Sequence, residues 1–200
     1  MIARHLFKTP EAATRYSRGR VDSSLPNYRY PIHEKGYARL LQRRNVMIRG
    51  IHHTAISTAD LERSLRFYRD LLGFEQIFSS GWERGAEAAD KITGLKESSA
   101  KLVMLKAGNA CIELFQYSSP QPRPGDPTRP ACDHGITHLC LDVSDIQAEY
   151  ERLKAAGMVF HCPPQSMGSV SATYGRDPDG NIVELLEVKD AANPIALNIA

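Results

Sequence analysis

The chain has 200 residues, 42% of them hydrophobic and 24% charged, with a formal net charge of +2. That length and balance suit one sizeable domain or two small ones around a buried core, and they exclude collagen, coiled coils and wholesale disorder. Purely apolar runs are short, as at Ile182-Val183 and Leu185-Leu186, far below the roughly 20 residues that a membrane-spanning helix needs.

Charge is spread unevenly along the chain. Residues 1–50 hold eleven Lys and Arg against Glu11, Asp22 and Glu34, an excess of eight positive charges, which leaves an excess of six negative charges on the remainder. The stretch from Met1 to about Asn45 carries Arg15, Arg18, Arg20, Arg29, Arg39, Arg43 and Arg44 with Pro26 and Pro31, and no sustained apolar period. Residues 1–47 therefore read as a basic N-terminal extension, arm-like or partly disordered. It would serve an acidic partner, a second subunit, nucleic acid or targeting, unless the natural start is Met47. Cys111, Cys132, Cys140 and Cys162 are too few for a secreted disulfide scaffold and have no Cys-x-x-Cys spacing, which predicts reduced thiols in a cytoplasmic protein.

A regular pattern begins at Ile51. Ile51–Ser57 has the length and β-branched content of a strand; Asp60 is placed to cap a helix whose apolar face is Leu61, Leu65, Tyr68, Leu71 and Leu72, and Gly73 stops it. Strands are predicted over Phe74–Ser80, Lys101–Lys106 and Cys111–Tyr117, with a loop or short helix around Ala86–Leu95 and a turn at Gly108-Asn109. A proline-rich linker follows, and then the order repeats. Ile136–Val143 reads as a strand, Asp145 as a cap, Ile146, Tyr150 and Leu153 as a helix face ending at Gly157. Val159–Cys162, Ser169–Arg176 and Ile182–Val188 read as strands, the last two joined by the tight turn Asp177–Asn181.

The repeat is an internal duplication. A shift of 85 places His53 on His138 and Asp60 on Asp145, and a shift of 71 places Ile112-Glu113-Leu114 on Val183-Glu184-Leu185. A histidine on the first strand and a glutamate on the last therefore recur in both halves. Strand alternation puts His53 on one face with Ala55 and Ser57, and His138 with Cys140 and Asp142, while Leu139, Leu141 and Val143 form the face expected to meet the helix. Glu113 between Ile112 and Leu114 is a half-buried carboxylate, which costs several kcal/mol unless paired or metal-bound. If the two units join around a common cavity, two imidazoles and two carboxylates converge on a divalent cation. An exposed strand face is the alternative for Glu184. His52 falls on the opposite face from His53 and reads as structural. Trp82, Phe115 and Tyr117 are either pocket wall or core.

The run His53–Gly73, the recurrence at His138 and the turn Asp177–Asn181 before Ile182-Val183-Glu184 resemble the vicinal oxygen chelate superfamily, which includes glyoxalase I, epimerases, fosfomycin- and bleomycin-resistance proteins and extradiol dioxygenases. The resemblance implies an α+β fold of two paired βαβββ modules forming a curved sheet around a metal-binding cavity. Residues 48–188 would form that domain, with module one at 48–117, a linker at 118–134 and module two at 135–188, followed by a tail at 189–200. It implies His53, Glu113, His138 and Glu184 as ligands of a divalent metal (Zn, Ni, Co, Mn or Fe), with Glu113 and Glu184 as the catalytic acid–base pair. The expected activity is a lyase or isomerase of the glyoxalase or epimerase type, moving a proton next to a metal-bound carbonyl of a small-molecule substrate through an enediolate.

Two alternatives come with the resemblance. An Fe(II) extradiol ring-cleaving dioxygenase would use only His53, His138 and Glu184 as ligands, with Tyr174 and Arg176 as substrate-binding residues, so Glu113 separates the two chemistries. A non-catalytic resistance protein would bind a small molecule without the ligand set. The isolated cations Arg84, Lys101, Lys106 and Arg176 form no recognisable glutathione-binding set. A homodimer is expected because the sheet edges need cover. A membrane role is not expected, and nucleic-acid binding could rest only on the N-terminal arm.

Overall fold

A computed structural model describes residues 48–197, so the expectations placed on the basic extension lie outside the described residues. The first module runs β1 (His53–Ser57), α1 (Leu61–Leu65, continued as a wider π-type turn over Arg66–Leu71), β2 (Glu75–Trp82), α2 (Glu87–Thr93), β3 (Ser99–Ala107) and β4 (Ala110–Ser119). The second runs β5 (Leu139–Asp142), α3 (Ile146–Ala155), β6 (Val159–Phe160), β7 (Gln165–Met167), β8 (Val170–Arg176) and β9 (Ile182–Val188). Each module makes one sheet, in the orders β1-β4-β3-β2 and β5-β9-β8-β6, with β7 also paired to β8. In both, the first strand lies parallel to the last and the other pairings are antiparallel. The α+β architecture of two duplicated units is as expected, and neither sheet closes into a barrel.

Both helix starts form as their caps dictate. The Asp60 carboxylate accepts from Arg63 N and that of Asp145 from Ala148 N, each at 3.0 Å, satisfying an amide that has no partner inside the helix. Gly73 and Gly157 follow the two helices at φ +77° and +95°, a conformation that side chains with a Cβ resist.

One core serves both modules. Leu61, Leu65, Phe67 and Tyr68 from the first helix, Val103, Leu105, Ile112 and Leu114 from its sheet, Ile146 and Leu153 from α3, and Met158, Val183 and Leu185 form a single buried cluster. Leu139, Leu141 and Val143 pack against it, which is the face the strand pattern assigned to the helix. The turn Asp177–Asn181 fastens the second module to the start of α1. Thr58 Oγ1 and the Arg63 guanidinium donate to the Asp179 carboxylate, and Tyr68 Oη donates to Asp177 Oδ2 at 2.8 Å.

In the second module the elements depart from the pattern reading. The strand predicted from Ile136 begins only at Leu139, because Arg129 donates to the carbonyls of His134 and Ile136 and so takes backbone groups a ladder would need. His138 consequently stands just ahead of β5. β7 was not foreseen: its three residues are all exposed and follow Pro163-Pro164, so no alternation announces them. The segment near Ala86–Leu95, expected as a loop or short helix, is the short helix α2, closed by Gly94 at φ +69°.

Candidate metal centre

Alternation on β4 sends Ile112 and Leu114 into the core and Glu113 to the opposite face; on β9, Val183 and Leu185 go inward and Glu184 outward. The registers coincide between modules, for Ala55 stands opposite Glu113 and Cys140 opposite Glu184 in equivalent parallel ladders. Each histidine precedes that alanine or cysteine by two residues and shares its face, so it leans towards the glutamate. His53 Nε2 lies 3.2 Å from Glu113 Oε2, and His138 Nε2 lies 2.9 Å from Glu184 Oε2. Both carboxylate side chains are 14% exposed, which places two matching partly desolvated acids on what would otherwise be an exposed strand face.

The surroundings of the two pairs differ. His52 Nδ1 sits 2.8 Å from His53 Nδ1, so His52 contacts its neighbour's ring rather than serving elsewhere in the structure. That hydrogen bond requires one ring to donate and the other to accept, and it limits the tautomers of both. His138 Nδ1, by contrast, is buried with no hydrogen-bond partner among the described residues. The Tyr174 ring lies 5.0 Å from that of His138, and Tyr174 faces Glu184 across the β8–β9 ladder. Burial, and then the charge of Glu184, raise the Tyr174 phenol above its ordinary value, so it is a donor at neutral pH. Burial and then Glu184 push the Cys140 thiol up to about 12, which favours the neutral thiol at neutral pH. Arg176 gives one N–H each to the carbonyls of Gly180 and Arg129, holding the linker to the turn, and retains three further N–H groups.

The donor set suits a borderline divalent cation: neutral imidazole nitrogens and carboxylate oxygens, already adjacent in pairs. The structure joins the four residues two by two, however, and the described residues contain no group of three or more His, Cys, Asp or Glu able to hold a metal ion. Within one chain the geometry thus gives two His–Glu pairs, and a single ion held by His53, Glu113, His138 and Glu184 together stays an expectation. Both sheets bury their helix-side faces in one apolar cluster, and the two pairs lie on the opposite faces. A separate cavity of about 820 Å³ lies at the free edge of β5, lined by Thr54, Leu72, Phe74, Leu141, Ile195 and Leu197 among others, and none of the four residues touches it. The His52 contact was the feature sequence reasoning missed; two adjacent histidines at the start of a strand were its only signal.

Residues 50–185 match the family model described as Glyoxalase/Bleomycin resistance protein/Dioxygenase superfamily. A probable lactoylglutathione lyase from Vibrio parahaemolyticus is 26% identical over 145 residues, spanning 71% of this chain and 93% of that protein. A 2-epi-5-epi-valiolone epimerase from Actinomyces is 28% identical over 107 residues, spanning 52% of this chain and 57% of the epimerase, so the match covers little more than half of that relative. Among solved structures, a glyoxalase family protein from Bacillus cereus superposes with a TM-score of 0.65 at 22% identity, over 72% of this chain and 97% of the other, and shows the same fold. The chain belongs to the Glyoxalase/Bleomycin resistance protein/Dioxygenase superfamily.

Proposed function

We propose that this member of the superfamily is a divalent-metal-dependent lyase or isomerase of the glyoxalase or epimerase type, acting as a homodimer on a small carbonyl compound. The observation that carries the reading is the duplicated pair, His53 with Glu113 and His138 with Glu184, at equivalent registers on outward faces. Two ligands are too few for a stable site. In a two-fold dimer the first pair of one protomer can face the second pair of its partner, which supplies four ligands twice over.

A bound divalent cation would act as a Lewis acid towards a substrate carbonyl and lower the cost of charge on its oxygen. His53 and His138 would hold it as neutral imidazoles, and the two carboxylates would balance its charge. Glu113 and Glu184 have the chemistry to take a proton from the carbon beside the carbonyl and return it elsewhere. Tyr174, a neutral phenol beside His138, can donate a hydrogen bond to the substrate, and Arg176 can offer its remaining N–H groups. The same Tyr174 placement favours a second reading, an Fe(II) dioxygenase in which Glu113 is no ligand.

The test combines metal analysis with complementation. Protein purified without chelator should hold about one divalent ion per chain, and His53→Ala or His138→Ala should each abolish binding. Mixed dimers of the two variants regain one intact site if the ligands come from two chains, and none if they come from one. Glu113→Gln separates the chemistries: loss of metal supports the lyase or isomerase, whereas retained Fe(II) with oxygen uptake on a catechol sinks it.

A further inference from the structure

Beyond Glu113 on the same face of β4 stand Phe115 and Tyr117, two and four residues along. Their rings stack at 5.6 Å with planes 15° apart, and Trp82 of β2 meets both edge-on at 6.1 and 6.0 Å. The middle strand makes this possible, because Ala100 lies between Trp82 and Tyr117 in the ladder and its methyl group leaves room for the rings to touch above it. All three rings are half-buried and lie outside the apolar core.

Their orientation is fixed from behind. Trp82 Nε1 donates to Ser98 Oγ at 2.9 Å, and Ser98, itself fully buried, gives both its amide and its hydroxyl to Asp90. The one polar atom of the indole is thus satisfied inside the protein, and flat apolar surface faces outward. The second module has nothing equivalent: the shift of 71 that matches Glu113 to Glu184 places Leu186 and Val188 where Phe115 and Tyr117 stand. Burial, and then the charge of Glu113, raise the Tyr117 phenol, which sets the shelf within electrostatic reach of that carboxylate.

We infer that the substrate carries a flat apolar substituent, an aromatic ring or conjugated group, next to its reacting carbon, and that Trp82, Phe115 and Tyr117 bind it. The inference rests on the proposed function only in taking Glu113 as the site's carboxylate. Two residues of strand span about 7 Å, so a ring attached directly to the carbon beside the carbonyl reaches Phe115 when that carbon lies at Glu113. Aryl-substituted 2-oxo and 2-hydroxy acids and ketones have that shape; the polar, charged glutathione moiety of an adduct offers no flat apolar face to such a surface.

Trp82 is the chain's single tryptophan, so its emission reports on the shelf directly. The full-length protein, as purified, is titrated with mandelate and with lactate, which share the 2-hydroxy acid and differ by the ring. Mandelate should change the Trp82 emission saturably and bind at least about tenfold more tightly than lactate, and Phe115→Leu, which keeps apolar bulk without the ring, should shrink that ratio by about threefold or more. Equal affinities in the wild type overturn the inference without any variant. A Phe115→Leu protein with an unchanged ratio, or one that dissociates into monomers, also overturns it, the latter by assigning the shelf to a subunit contact. Mandelate selectivity in a protein that binds no Co(II) leaves the shelf standing and removes the metal reading; Co(II) binding without selectivity does the reverse.

Discussion

Tyr68 and Asp177 lie 109 residues apart and share a buried hydrogen bond, Tyr68 Oη to Asp177 Oδ2 at 2.8 Å. The same carboxylate accepts from Asp179 N, Asn181 N and Asn181 Nδ2, so one acid shapes the turn before β9 and holds it to the helix of the other module. Removing the phenol leaves a buried acceptor short of one donor, and Tyr68→Phe should cost about 1–3 kcal/mol in denaturant unfolding at neutral pH. Burial, and then Asp177, raise the Tyr68 phenol well above its ordinary value near 10. The neutral form is the one the fold favours, so its contribution is complete below that ordinary value and is lost as pH rises through the folded one. The stability gap between wild type and Tyr68→Phe should therefore narrow above pH 10, and a constant gap would contradict this.

His52 and His53 face one another through their Nδ1 atoms. If His53 coordinates through Nε2, its Nδ1 carries the proton and His52 accepts it, which fixes the ring's direction. His52→Ala should weaken Co(II) binding by about 10–100-fold with little change in the far-ultraviolet spectrum, and His52→Asn, which keeps an acceptor, should recover most of it. Unchanged affinity in His52→Ala would show that the contact plays no part in holding the ion.

Asp90 connects pH to the aromatic shelf. Its carboxylate accepts from Ser98 and from Glu97 N, and the Ser98 hydroxyl bond leads the causes that hold its pKa below the ordinary 3.8. A depressed carboxylate contributes stability above its unfolded value and loses it as pH falls through the folded one. Trp82 emission should stay constant on acidification until below the ordinary carboxylate range, whereas Asp90→Ala should shift it already at neutral pH.

Gly180 tests how tightly the linker covers the turn. It has φ +88°, and a Cβ there would lie 2.3 Å from Pro127 Cα, a backbone atom that cannot step aside. Gly157 has φ +95° with open space around it. Gly157→Ala should cost only the left-handed penalty of about 1–2 kcal/mol, and Gly180→Ala should cost more in the same thermal or denaturant experiment. Equal costs would mean that the linker yields freely.

The elements with period and punctuation were legible in the sequence. Asp60 and Asp145 cap helices, and Glu113 and Glu184 leave the core where alternation sends them, because these outcomes depend on neighbours a few residues away. The start of β5 was not legible, since it depends on the Arg129 side chain reaching two carbonyls, and neither was β7, which has no buried face. The recurrence of a histidine and a glutamate in each half could be read from the duplication. That both sheets would press their inner faces onto a single core could not.

If each site is shared between two protomers as proposed, catalysis is tied to mass action. When half of a site resides on each of two molecules, metal retention and turnover per chain rise with protein concentration and fall once the solution is diluted below the dissociation constant of the pair. Specific activity measured over a dilution series would then bend downward together with the sedimentation average, and added metal would pull both curves towards lower concentration.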